Sequence, residues 1–176
     1  FEKYQQQSAW TWEHQALVRS RVIAGDTITA QGFNAIRIDQ LRKKRNIEKL
    51  RNDVSEMRIK MRKHLDKSTK DGKYCLKQAS GGIVDIEFMV QFAVLAWSHD
   101  HPQLVRWSDT IRILESLAQC GLFSEQDALR LIDAYKRFRS AGHRAQLHNQ
   151  LAEIALSEFV VEREHVAQQW RKLFKS

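Results

Sequence analysis

The stretch Ile83–Trp97 constrains the fold most, because fifteen residues there are almost all apolar and Gly81-Gly82 stand immediately before them. An alternating strand would leave half of such a run in water, whereas a helix apolar around most of its circumference must be enclosed by other helices. The run carries Asp85, Glu87 and Gln91, which argues against a membrane span. The segment is therefore expected to be the central helix of a bundle.

The surrounding pattern supplies the enclosing helices. Ile47, Leu50, Val54, Met57, Met61 and Leu65 recur at spacings of three and four, with Asn46 placed to cap that helix. Residues from about Ser8 to Ala24 put Trp10, Leu17 and either Val18 or Ile23 on one wide face. A second helix begins near Thr27 or Thr29 and carries Phe33 and Ile36. Pro102 interrupts the joint after Trp97, and a cap at Ser108 opens a helix that stops at Gly121. Ser124 and Asp127 form the capping pair of the next, through Leu131, Tyr135 and Phe138. A last helix uses Phe159, Val166, Trp170 and Leu173. One proline and seven glycines leave little material for a turn-rich sheet fold. The expectation is an all-α bundle of six or seven helices over residues 1–176, with one short extended or loop segment around 66–82. The extended piece, Lys73 to Lys77, needs a partner strand that this chain need not contain.

Charge is concentrated. Eleven basic and four acidic residues lie between Arg37 and Lys63, so most of the net charge of +8 sits there. Arg19, Arg21, Arg37, Arg58 and Arg62 are candidates for a basic patch meeting phosphate or an acidic surface. Each is equally open to an ion pair inside the domain. Cys75 and Cys120 lack the spacing of a disulfide framework or zinc site and suit a reducing compartment. His99 and His101 sit on a joint, and His143 and His148 fall off a common helix face, so no metal site is expected.

The densest chemistry lies between Lys77 and Gln91. Gly81 and Gly82 permit close backbone approach. With Gly82 as N-cap, Asp85 falls where a carboxylate accepts from unpaired first-turn N–H groups. Glu87 shares a face with Gln91 inside an apolar helix, which implies a cation either from this domain or from a neighbour. Asp85 and Glu87 point about 200° apart on a helix and do not form a two-metal clamp.

Lys77 followed by Gly81, Gly82, Ile83, Val84, Asp85, Ile86, Glu87 and Phe88 resembles a signature of the glutamine-synthetase adenylyltransferase family. Three more stretches match in order: Ala9–Arg21, Glu56–Arg62 and Arg106–Glu115. The form Trp10, Thr11, Trp12, Glu13, His14 is similar to that of the carboxy-terminal, adenylylating half. The resemblance implies the helical domain that follows a nucleotidyltransferase domain in a bifunctional enzyme, which transfers AMP to glutamine synthetase and removes it. It also implies a cytoplasmic setting, glutamine synthetase and the nitrogen-signalling protein as partners, and ATP with Mg2+ held by the nucleotidyltransferase domain. That domain, with its Gly-Ser and Asp-x-Asp motifs, is expected to precede residue 1. This stretch is then expected to hold no cofactor and to be inactive by itself. Lys77, Gly81, Gly82, Asp85 and Glu87 become candidates for facing the junction, with the Trp10–Arg21 helix carrying the connection. Where relatives are acidic before the glycines, this chain has Gln78, Ala79 and Ser80. Alternatives are the equivalent domain of the removing half or of a uridylyltransferase, and a basic module binding nucleic acid or protein.

Overall fold

The computed structural model describes residues 1–65, 73–149 and 151–174. Eight α-helices are arranged around one of their number. In chain order they are α1 (Glu2–Gln7), α2 (Thr11–Arg19), α3 (Thr27–Leu41), α4 (Ile47–Leu65), α5 (Ile83–Trp97), α6 (Thr110–Gln119), α7 (Glu125–Leu147) and α8 (Val160–Phe174). Two short strands, β1 (Lys73–Cys75) and β2 (Glu153–Ala155), complete the described structure together with a 3-10 turn at Pro102–Val105.

Helix α5 is the centre. From Phe88 through Ala96 every side chain is buried, and the helix touches α2, α4, α6, α7 and α8. Its circumference is apolar because it has no solvent side, which removes several large side chains from water at once. On α4, Leu50 and Val54 are buried while Met57 and Met61 pack at the edge of the core, and Leu65 is exposed. Local signals fix several ends: Asn46 Oδ1 accepts from the Lys49 N–H at 2.9 Å, and Ser124 Oγ accepts from that of Asp127 at 3.1 Å.

The structure departs from the sequence reading at several helix ends and caps. Helix α2 is shorter than Ser8–Ala24, because the chain turns extended at Ser20. Trp10 is its N-cap, 70% exposed, and Ile23 lies beyond its end, 88% exposed, so neither joins the apolar face. The separate six-residue helix α1 leaves no mark in the sequence pattern, being too short for a helical period to show. The cap of α6 is Asp109, whose Oδ1 accepts from the Arg112 N–H at 3.0 Å, and not Ser108.

Strand β1 finds its partner within the chain. It pairs antiparallel with β2, Tyr74 opposite Ile154. The pair Asp71-Gly72, a turn signal in the sequence, lies outside the described residues. Lengthening of α7 to Leu147 brings the chain back to that strand; its last two turns carry a polar and basic surface with no apolar repeat to reveal them.

Candidate functional site: a basic cleft beside the glycine turn

The turn Leu76–Gly82 links β1 to α5 and is fixed by contacts that leave no room for a side chain at Gly81 or Gly82. Gly81 has φ +83° and lies against the backbone carbonyl of Arg163, and a Cβ on Gly82 would fall 2.6 Å from the Leu76 carbonyl oxygen. Asp85 closes the turn from the first turn of α5, its Oδ2 accepting from the Gly81 N–H at 2.7 Å. Two arginines of α4 complete its shell: Arg58 Nε stands 2.6 Å and Arg62 Nη2 3.0 Å from Oδ1. The Arg58 guanidinium also donates to the Gln78 carbonyl at 2.7 Å. Gln78, which departs from the acidic pattern that the resemblance implies, thus meets Arg58 through its backbone carbonyl. Gly81, Gly82 and Asp85 are buried inside the domain, so any effect they have on a neighbour passes through the shape of this turn.

Glu87 points elsewhere, toward α2 and α7. Its Oε1 accepts from Arg19 Nη1 at 2.8 Å and from the Tyr135 hydroxyl at 3.1 Å. Arg139 Nη1 in turn donates to that hydroxyl at 3.2 Å. This bond, with the nearby Glu87 charge, holds the Arg139 guanidinium above its ordinary pKa. One turn along, Gln15 Nε2 donates to Gln91 Oε1 at 3.0 Å. Residues 15 and 19 of α2 therefore meet 91 and 87 of α5 as an antiparallel pair of polar rungs, which explains the carboxylate and amide on an otherwise apolar helix.

The same arginines border a cleft. A cavity of ≈ 820 Å³ lies between the end of α2, the start of α6 and the second half of α7, and Arg19, Arg21, Lys136, Arg139, His143 and Arg144 line it. A smaller one of ≈ 320 Å³ shares Arg19, Arg139 and His143 with it and extends to Lys77 and Glu87. On α7, residues 135, 139 and 143 and residues 136, 140 and 144 form two rows at helical spacing, so this face of the helix borders the cleft. The sequence reading singled out Arg19 and Arg21 but missed the α7 residues. The signal was present in the i,i+4 repeat of Lys136, Ser140 and Arg144 without an acidic residue.

The run Arg37–Lys63 is not one surface. Arg37 is buried and donates to the carbonyls of Leu17, Val18 and Val105 at 2.8–2.9 Å, and its pKa is lowered by that burial. Arg45 closes α3 on the carbonyls of Gln40, Leu41 and Lys43, and burial pushes its pKa down to about 10. Arg51 donates to the Leu173 carbonyl at 3.0 Å. With Arg58 and Arg62 on Asp85, five of the arginines that made the run dense serve the fold. Among the described residues there is no group of three His, Cys, Asp or Glu able to hold a metal ion, and no helix long and apolar enough to cross a membrane.

Comparison with known proteins places this geometry in context. Residues 40–172 match the family model described as GlnD PII-uridylyltransferase, and residues 1–36 match that described as glutamate-ammonia ligase adenylyltransferase. Proteins named bifunctional glutamine synthetase adenylyltransferase/adenylyl-removing enzyme are similar over nearly the whole chain. That of Pseudomonas putida is 50% identical over 98% of the chain. Those of Hahella chejuensis and Nitrosococcus oceani are each 48% identical, over 99% and 98% of it. The chain spans 18–19% of the length of these relatives.

Proposed function

Since the chain belongs to the GlnD PII-uridylyltransferase domain family and closely matches bifunctional glutamine synthetase adenylyltransferase/adenylyl-removing enzymes nearly end to end, we propose that it is the helical domain adjoining the adenylylating half of such an enzyme. The enzyme's reaction is transfer of AMP from ATP to glutamine synthetase, and its reversal by removal, under control of a nitrogen-signalling protein. In this reading ATP and Mg2+ are held by a nucleotidyltransferase domain outside this chain, and the present residues shape one wall of the cleft.

The observation that carries the reading is the near end-to-end similarity, with the Trp10–His14 motif favouring the adenylylating half. The structure suits it at α2: Trp10 and Trp12 are exposed large aromatics at the start of that helix. Two large aromatics exposed side by side offer apolar area that a neighbouring surface can cover. The rungs Gln15–Gln91 and Arg19–Glu87 hold α2 rigidly to the core, so a domain seated on the tryptophans would be set at a fixed angle. Lys77 and Glu87, on the rim of the smaller cavity, are the members of the glycine segment available to that junction. Positioning of this kind contributes to group transfer by holding reactants in register.

The match of residues 40–172 to a uridylyltransferase family favours a second reading, the equivalent domain of a uridylyltransferase. An assay with radiolabelled ATP and UTP separates the two. The full-length enzyme is expected to label glutamine synthetase with AMP, and the 176-residue chain alone is expected to label nothing. Reproducible AMP transfer by the chain alone would overturn the accessory role, and UMP transfer by the full-length enzyme would establish the second reading.

A further inference from the structure

We propose that the cleft between α2, α6 and α7 is a binding site for a phosphate chain of at least two phosphoryl groups. The inference rests on this chain's own residues and does not depend on which half of the enzyme they adjoin.

Charge is the first argument. Arg19, Arg21, Lys136, Arg139 and Arg144 line the larger cavity against a single carboxylate, Asp109. That carboxylate is already engaged, accepting from the Arg112 N–H at 3.0 Å with Arg112 Nε 3.9 Å away. Glu87 on the adjoining rim balances Arg19. Arg21 and Lys136 make no hydrogen bond or ion pair among the described residues, and both line the cavity. Gathering cations around one hollow is unfavourable unless an anion enters, and a concave low-dielectric wall focuses the resulting field.

Geometry narrows the anion. Arg139 is held by Tyr135, Arg19 by Glu87, and Arg144 by a bond from Nη1 to Ser140 Oγ at 3.1 Å, so three guanidinium groups are held before any ligand arrives. Fixed guanidinium forks suit the paired oxygens of phosphate. Successive α7 positions stand about 5–6 Å apart, close enough for one short phosphate chain to engage two turns. Across the cavity lies the start of α6, where the first-turn N–H groups of Thr110 and Ile111 precede the first intrahelical bond, from Ile113 to the Asp109 carbonyl. At ≈ 820 Å³ the hollow is the size of a small-molecule site. An acidic peptide would extend beyond it and leave most of its backbone polar groups unmatched.

The source of the chain is either free pyrophosphate or the phosphate tail of a nucleotide, and titration calorimetry of the folded 176-residue chain distinguishes them. Pyrophosphate, ATP and AMP are titrated separately in Mg2+-free buffer, with a glutamate-rich peptide of matched charge alongside. Pyrophosphate and ATP are expected to bind and AMP to bind at least about tenfold more weakly. ATP binding more tightly than pyrophosphate assigns the site to a nucleotide; equal or weaker ATP binding assigns it to the free anion. The double variant Arg21→Gln/Lys136→Gln should weaken pyrophosphate by about tenfold or more, with an unchanged thermal melt since neither side chain has a partner to lose. The variant Lys43→Gln/Lys44→Gln, which removes the same charge from an exposed site outside the cleft, should leave affinity unchanged. The proposal is overturned if pyrophosphate fails to bind at millimolar concentration, if the cleft variant binds as wild type, if both variants weaken binding equally, if AMP binds as tightly as pyrophosphate, or if the peptide does.

Discussion

Arg58 and Asp85 meet at 2.6 Å with side-chain exposures of 0% and 1%, joining the middle of α4 to the first turn of α5. Both charges have left water, and the pair is tolerated because the remaining donors and acceptors are occupied by Gln78, Gly81 and Arg62. Breaking one side strands the other. Asp85→Asn is expected to destabilise the chain by about 3 kcal/mol or more, since Arg58 and Arg62 would face each other without a counter-charge. Urea melts measure this, and a loss below about 1 kcal/mol would show that the pair is not holding the turn.

The glycine turn should be equally intolerant. Gly82→Ala places a methyl group 2.6 Å from a backbone carbonyl oxygen that cannot swing aside, because that oxygen accepts from the Ile83 N–H at 2.9 Å. The expected cost is about 2 kcal/mol or more, read from the same melts, whereas Gly32→Ala, with open space around it at an exposed position of α3, should be neutral or slightly stabilising. Equal effects of the two would refute the close-packing account.

Glu87 behaves differently from Asp85 because its main cation is 43% exposed. In Glu87→Gln, Arg19 can turn to solvent, so the isolated chain should lose no more than about 1 kcal/mol. If the chain serves the proposed adenylylating enzyme, that complete enzyme should lose AMP transfer through a misplaced α2. A shift above about 2 kcal/mol with full transfer activity would mean that Glu87 only stabilises the bundle.

A pH dependence follows from His165 and His14. Burial is the main cause that lowers both imidazoles below the ordinary 6.5, with Arg130 and Lys172 adding to it for His165 against the opposing Asp127, and Arg45 and Lys43 for His14. The unfolded chain then binds protons that the folded one refuses. Stability is complete above the unfolded value and is lost as pH falls through it toward the lower folded values. Thermal melts between about pH 7.5 and 5.5 should show a falling midpoint, and His165→Asn should flatten the fall. An unchanged slope in that variant would remove His165 from the account.

Much of this architecture is legible along the chain because it depends on interactions within one or two turns. The 3.6-residue repeat of α4, the apolar run of α5 and the caps at Asn46, Gly82 and Ser124 are such cases. The family signature is legible for the same reason, being a contiguous string from Lys77 to Phe88. Tertiary structure decided what each charge does. The sequence puts Asp85 and Glu87 about 200° apart on one helix, but which partners they meet is tertiary: α4 buries the first on Arg58 and Arg62, while α2 and α7 hold the second at the cleft. Likewise β1 meets a strand some eighty residues away, and Arg19 and Arg21 join basic residues of α7 more than a hundred positions later. No local pattern records these encounters, because they arise when helices chosen for their apolar faces pack around α5 and bring their polar edges together.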